Sequence, residues 1–164
     1  MSPDRNKDLA RRYYEDVANA DVSAGQAAAE QLLTADFLFY PNMPEAQRGI
    51  EAHKQFLARH HEIAPDQKWI CQEMIAEGDT VVCRFTVEGT HQGMFHGIAP
   101  AGRRFSVQGV DFFRMRVPNR SRLLARPTTR IAEVQRHLDL HRLLEQMSGV
   151  ADAAPDQQVS SVAS

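Results

Sequence analysis

Residues 68–89 read KWICQEMIAEGDTVVCRFTVEG, and apolar side chains alternate with polar ones on both sides of Glu77-Gly78-Asp79, a turn sequence. The segment therefore reads as two antiparallel strands. A period of two points one face at a core and the other at water, so another layer must cover the apolar face. Cys71 and Cys83 fall on these neighbouring strands, where reduced thiols acting as small apolar residues are expected in preference to a disulfide.

Toward the C-terminus a loop, THQGMFHGIAPAGRR, leads to a third strand, FSVQGVDFFRMR, and a fourth reads RIAEVQRHLDL. Between them lies VPNRSRLLARPTT, residues 117–129, longer than a usual hairpin loop. With its flanks it carries Arg114, Arg116, Arg120, Arg122, Arg126 and Arg130. No aromatic residues are interleaved for base stacking, so the expectation is a solvated hairpin extension and no nucleic-acid partner. The stretch 150–164 is small and polar and reads as a disordered tail.

Toward the N-terminus, Ser2-Pro3-Asp4 is a helix start, and Leu9, Ala10, Tyr13, Tyr14 and Val17 keep helical spacing to about Ala20. A second helix covers roughly Ser23 to Leu33. DFLFYP then reads as a short strand closed by Pro41, with Leu38 and Tyr40 on one face and Phe37 and Phe39 on the other. GIEAHKQFLARHHEI is a third helix with Ile50, His53, Phe56, Leu57 and His60 along one stripe, ended by Pro65. Helices first and a meander afterwards make an α+β fold: a strongly curved antiparallel sheet with three N-terminal helices on one face. One domain spanning 1–149 is expected.

The 164 residues are 43% hydrophobic and 24% charged with a net charge of −2, values of an ordinary globular protein with no general attraction to nucleic acid or membrane. The first residues lack the apolar core of a secretion signal, and a cytoplasmic location is expected. A small molecule or a second copy of the chain is the expected partner. There is no P-loop, GxGxxG, HExxH or GxSxG. His137 and His141 lack a third ligand at metal spacing, and His60-His61 reads as facing a helix C-terminus, so no metal is expected.

Two charges stand on apolar strand faces. Arg136 shares its face with Ala132, Val134 and Leu138, and Asp111 shares one with Val107, Gly109 and Phe113. Neither residue type is often buried without a partner. On adjacent strands each supplies the other's counter-charge.

The segment GTHQGMFHGIAPAGRRFSVQGVDFFRM, residues 89–115, resembles the centre of SnoaL-like polyketide cyclases, which show a GTHxGxFxGxPPTGRR-like loop and then a strand ending in an aromatic-Arg pair. ARRYYEDVANAD, LLTADFLFYP, IAEGDTVVCRFTVEGTH and RIAEVQRHLDLHRLLEQMSG extend the resemblance over roughly residues 7–149. It implies a cone-shaped α+β fold, shared with ketosteroid isomerase, scytalone dehydratase and limonene epoxide hydrolase, around a deep apolar pocket. It also implies a dimer, no cofactor, and an acid on the last strand that closes a ring by intramolecular aldol chemistry. In those cyclases that strand reads approximately GKIxxHxDxxD. Aligned without a gap, this chain has Arg136 where the catalytic acid stands, and a pocket histidine of some cyclases falls on Asp111.

The reading is a cofactor-free cyclase or isomerase acting on a polyketide or related natural product. Arg136 would polarise a carbonyl or epoxide oxygen, with Asp111 as base directly or through water. A one-residue shift would instead bring His137 inward as acid/base, at about 1.5–3 kcal/mol for each large apolar side chain turned outward. Tyr40 and His96 are further catalytic candidates, and Tyr14, Leu38, Phe56, Trp69, Phe95, Phe113 and Leu138 are candidate substrate contacts. Epoxide opening and a non-catalytic ligand-binding role are the alternatives.

Overall fold

In the computed structural model, residues 2–42, 46–118 and 128–150 are described. The arginine-rich 119–127 and the tail from 151 onward lie outside them. The N-terminal helix α1 (Pro3–Arg12) runs into a π-helical turn over Tyr13–Ala18, and α2 (Val22–Leu32) follows. Strand β1 (Leu33–Tyr40), the short β2 (Gln47–Arg48) and helix α3 (Ile50–Ile63) come next. Then β3 (Lys68–Glu77), β4 (Thr80–Thr90), β5 (Arg104–Arg116), β6 (Arg130–Leu138) and α4 (Leu140–Ser148) complete the order.

The six strands form one sheet in the order β2-β1-β6-β5-β4-β3. The 68–89 hairpin turns at Gly78, whose φ of +57° suits a residue without Cβ. From β3 to β6 the pairing is antiparallel, as the meander requires. The first strand is different: β1 lies parallel to β6, with Phe39 opposite Val134. This long-range pairing has no local sequence signature.

Two of the helices, α2 and α4, are capped by side chains. The Asp21 side chain accepts from the Ala24 N–H at 2.9 Å and caps α2. Asn19 closes the preceding turn onto the sheet edge, donating to Trp69 O at 2.8 Å and accepting from Trp69 N–H at 2.7 Å. Asp139 caps α4 by accepting from Arg142 N–H at 3.0 Å, and Gly149 at φ +78° ends it. This fourth helix was not anticipated, because it starts two residues after β6 with no intervening loop.

The core lies between the helices and the concave sheet face, where Tyr13, Tyr14, Phe37, Phe39, Phe85 and Phe113 are fully buried. Each such side chain contributes about 1.5–3 kcal/mol of transfer free energy. Gly109 allows the close approach at the centre of β5, since a Cβ there would stand 2.5 Å from the Phe85 ring and 2.7 Å from the His137 carbonyl oxygen. Cys71 and Cys83 are free thiols on the paired strands β3 and β4. No helix among the described residues is long and apolar enough to cross a membrane.

Candidate active site

Strands β5 and β6 place Asp111 directly opposite Arg136 in register, both on the inner face. The contact is bidentate: Arg136 Nε donates to Asp111 Oδ1 at 2.9 Å and Nη2 to Oδ2 at 2.7 Å. Tyr14, delivered by the π-helical turn, donates its hydroxyl to Oδ2 at 2.7 Å. Asp111 is 0% exposed and Arg136 6%. The guanidinium is sandwiched by aromatic rings, its Cζ 4.0 Å from the Trp69 centroid and 5.2 Å from those of Phe39 and Phe85. Burial opposes the charge of Arg136, but the adjacent Asp111 more than offsets it and raises the pKa. Burial first, and then the Asp111 charge, push the Tyr14 phenol up, so it remains a donor.

One face of Arg136 looks into a cavity of about 360 Å³, a size that holds a small organic ligand. Phe56, Trp69, Val87, Phe105, Leu143 and Met147 give it apolar walls. Burial pushes the Tyr13 phenol up, while the charge of Arg136 and a hydrogen bond from it oppose that push; the same guanidinium contributes to the cavity lining.

His60 is another polar group of the wall. Its Nδ1–H donates to the Phe56 carbonyl oxygen at 3.0 Å, which fixes the tautomer with a free lone pair on Nε2. Burial holds its pKa down at about 4; the Phe56 hydrogen bond pulls the other way, and the charges of Arg136 and Arg59 add to the depression. His60 is therefore neutral at neutral pH. Behind it, His53 shares a 3.1 Å hydrogen bond with the Tyr13 hydroxyl and is held at about 3 by burial and by Arg136.

Of the residues singled out in the sequence, Arg136, His96, Phe56, Trp69, Phe95 and Leu138 line the cavity. His96 sits at the exposed rim in a left-handed backbone conformation, φ +47°. Asp111, Tyr14 and Phe113 are buried beneath the wall and do not line it. His137 is on the outer sheet face, exposed, with its ring edge-on to Phe112, so the one-residue shift does not occur. Leu38 and Tyr40 are half-buried on the side of β1 away from the core. Phe37 and Phe39 take the inner side, where α3 packs His53 against both rings.

In β6 a bulge leaves Ala132 without a partner and turns Ile131 inward in its place, while Val134, Arg136 and Leu138 keep their side. The sequence reading gave His60 a structural role only, and passed over Gln47, Arg59 and the whole contribution of α4. The signal for His60 was present: it follows Phe56 by four residues on the buried stripe of α3. Among the described residues there is no cluster of His, Cys, Asp or Glu that could hold a metal.

Comparison with known families places this geometry. The sequence matches the family described as SnoaL-like polyketide cyclase over residues 8–118. The chain belongs to that family. No curated protein matches at a significant level. Among solved structures, a "putative SnoaL-like polyketide cyclase" from Jannaschia sp. CCS1 is similar at 24% identity and TM-score 0.75, over 94% of this chain and 98% of that one. IdmH, called a "putative polyketide cyclase", from Streptomyces antibioticus is similar at 22% identity and TM-score 0.66, over 87% and 97%. AclR, called a "putative hydroxylase", from Streptomyces galilaeus is similar at 22% and TM-score 0.69, over 94% and 87%. At these identities the structures establish the SnoaL-like fold, and the chemistry must come from the cavity.

Proposed function

We propose that this SnoaL-like protein is a cofactor-free cyclase or isomerase acting on a ketone-bearing polyketide or related natural product. The observation that carries the reading is Arg136: a guanidinium locked by two hydrogen bonds to Asp111 that forms part of the wall of an apolar cavity. A substrate carbonyl oxygen against this guanidinium meets a fixed positive charge where the dielectric is low, the condition under which a developing enolate is best stabilised.

The proton acceptor in this mechanism is His60. Its Nε2 takes a proton from the carbon next to the carbonyl, and the electron pair moves onto the oxygen facing Arg136. In ring closure the enolate carbon attacks a second carbonyl of the same molecule, forming the carbon–carbon bond. The alkoxide then recovers the proton from the imidazolium. In isomerisation the proton returns to another carbon. Asp111 holds and orients Arg136, and Tyr14 holds Asp111.

Epoxide opening has less support, since the carboxylate it would need to activate water is enclosed, with both oxygens already accepting hydrogen bonds. The test is deuterium exchange of 1-tetralone, a bicyclic aryl ketone, in D₂O, followed by proton NMR. The wild type is expected to accelerate exchange at the α-carbon. His60→Asn and Arg136→Met should each lose about a hundredfold or more of that acceleration. Absence of acceleration by the wild type, or full activity in both variants, overturns the reading.

A further inference from the structure

We propose that the natural substrate is an organic carboxylate whose anionic group is held by Arg59 at the rim of the cavity while its ketone lies against Arg136. This rests on the reading of the cavity given above.

The first observation is the charge of the lining. Its polar members are two arginines, two histidines and three side-chain amides, with no aspartate or glutamate among the described residues. Arg136 is matched by Asp111. Arg59 has no ion pair or hydrogen bond with any described residue; it is exposed and stands one position before His60 on α3. A neutral polyketone would give this cation no partner. An apolar cleft with one unmatched charge at its mouth concentrates ligands of the opposite sign.

The second observation is Gln47. Its Oε1 is buried at the cavity wall with no donor among the described residues. A buried acceptor of this kind costs free energy until a ligand hydroxyl or enol O–H satisfies it. The three groups together describe a molecule that carries an acid, a ketone and a hydroxyl.

The base of the proposed reaction benefits from such a ligand. The charges of Arg59 and Arg136 add to the burial that weakens His60 as a proton acceptor. A carboxylate seated on Arg59 cancels part of that field, so the substrate itself strengthens the base that acts on it.

The closing experiment compares two probes of one shape and different charge, anthracene-2-carboxylate and anthracene-2-carboxamide. Binding is read from the fluorescence of Trp69, the single tryptophan of the chain and part of the cavity wall. The carboxylate is expected to bind about tenfold more tightly than the amide at low salt, and to lose that advantage as salt is raised. In Arg59→Gln the carboxylate should fall to the level of the amide, with the amide unchanged within twofold.

Equal affinities in the wild type, no binding of the carboxylate at millimolar concentration, or retention of the preference in Arg59→Gln overturns the proposal. Those outcomes concern binding of an anion. Failure of the cyclase reading would appear separately, in deuterium exchange of the neutral 1-tetralone.

Discussion

Removing Arg136 while leaving Asp111 tests the central pair most directly. Arg136→Met keeps an unbranched stem between Trp69 and Phe85 but leaves a fully buried carboxylate with only the Tyr14 hydroxyl as donor. Breaking a buried pair in this way costs about 3–5 kcal/mol. For a chain of this size that corresponds to a fall in Tm of roughly 10 °C. Asp111→Asn should cost less, because the orphaned guanidinium lines the cavity and can be hydrated there, whereas the carboxylate has no route to water. In the double variant both charges are gone, and Tyr14 can still donate to the Asn side-chain oxygen. Its stability should return to within about 2 kcal/mol of the wild type. Urea unfolding of the four proteins completes the double-mutant cycle. A single Arg136→Met loss below about 1 kcal/mol, or a double variant as unstable as the sum of the singles, would refute the argument that the charges hold each other in place.

Three further outcomes follow from the geometry. His53 and His60, held at about 3 and about 4 in the folded chain, bind protons more readily when unfolded, so stability should be greatest above pH 6.5 and decline as pH falls toward 4; thermal melts across that window check the sign. Gly109→Ala should destabilise by about 1–3 kcal/mol, since one of the atoms its Cβ would meet is backbone and cannot rotate away; equal Tm values would contradict the close approach. His137→Ala, on the outer face, should change neither tetralone exchange beyond twofold nor stability beyond about 0.5 kcal/mol.

Local pattern and long-range contact divide what the sequence could and could not reveal. The 68–89 hairpin was legible because alternation and a Glu-Gly-Asp turn agree, and the facing positions of Asp111 and Arg136 were legible because a charge on an apolar strand face demands a partner. β1 was not decidable in the same way: Phe37, Leu38, Phe39 and Tyr40 are all bulky, so its inner face is chosen by packing against α3. The parallel β1–β6 pairing joins strands about a hundred residues apart. The exchange of Ala132 for Ile131 comes from a bulge that leaves no mark in composition. His60 was visible as a helix-stripe residue, but its role depends on a carbonyl one turn earlier and on two arginines brought in by the fold.

The π-helical turn at Tyr13–Ala18 carries a consequence for how this protein can vary. It is closed by the Asn19 N–H donating to the Tyr14 carbonyl oxygen at 2.8 Å, five residues back, and a turn of this kind amounts to one extra residue within an α-helix. The widened turn lets two consecutive tyrosines, Tyr13 and Tyr14, both face the core, one reaching His53 and the other Asp111. A deletion that restores a regular helix would rotate one of them away while changing no side chain that touches the charge pair. The wiring of the site is thus recorded in the length of the first helix as well as in its residues, and a comparison that scores substitutions alone would miss its loss.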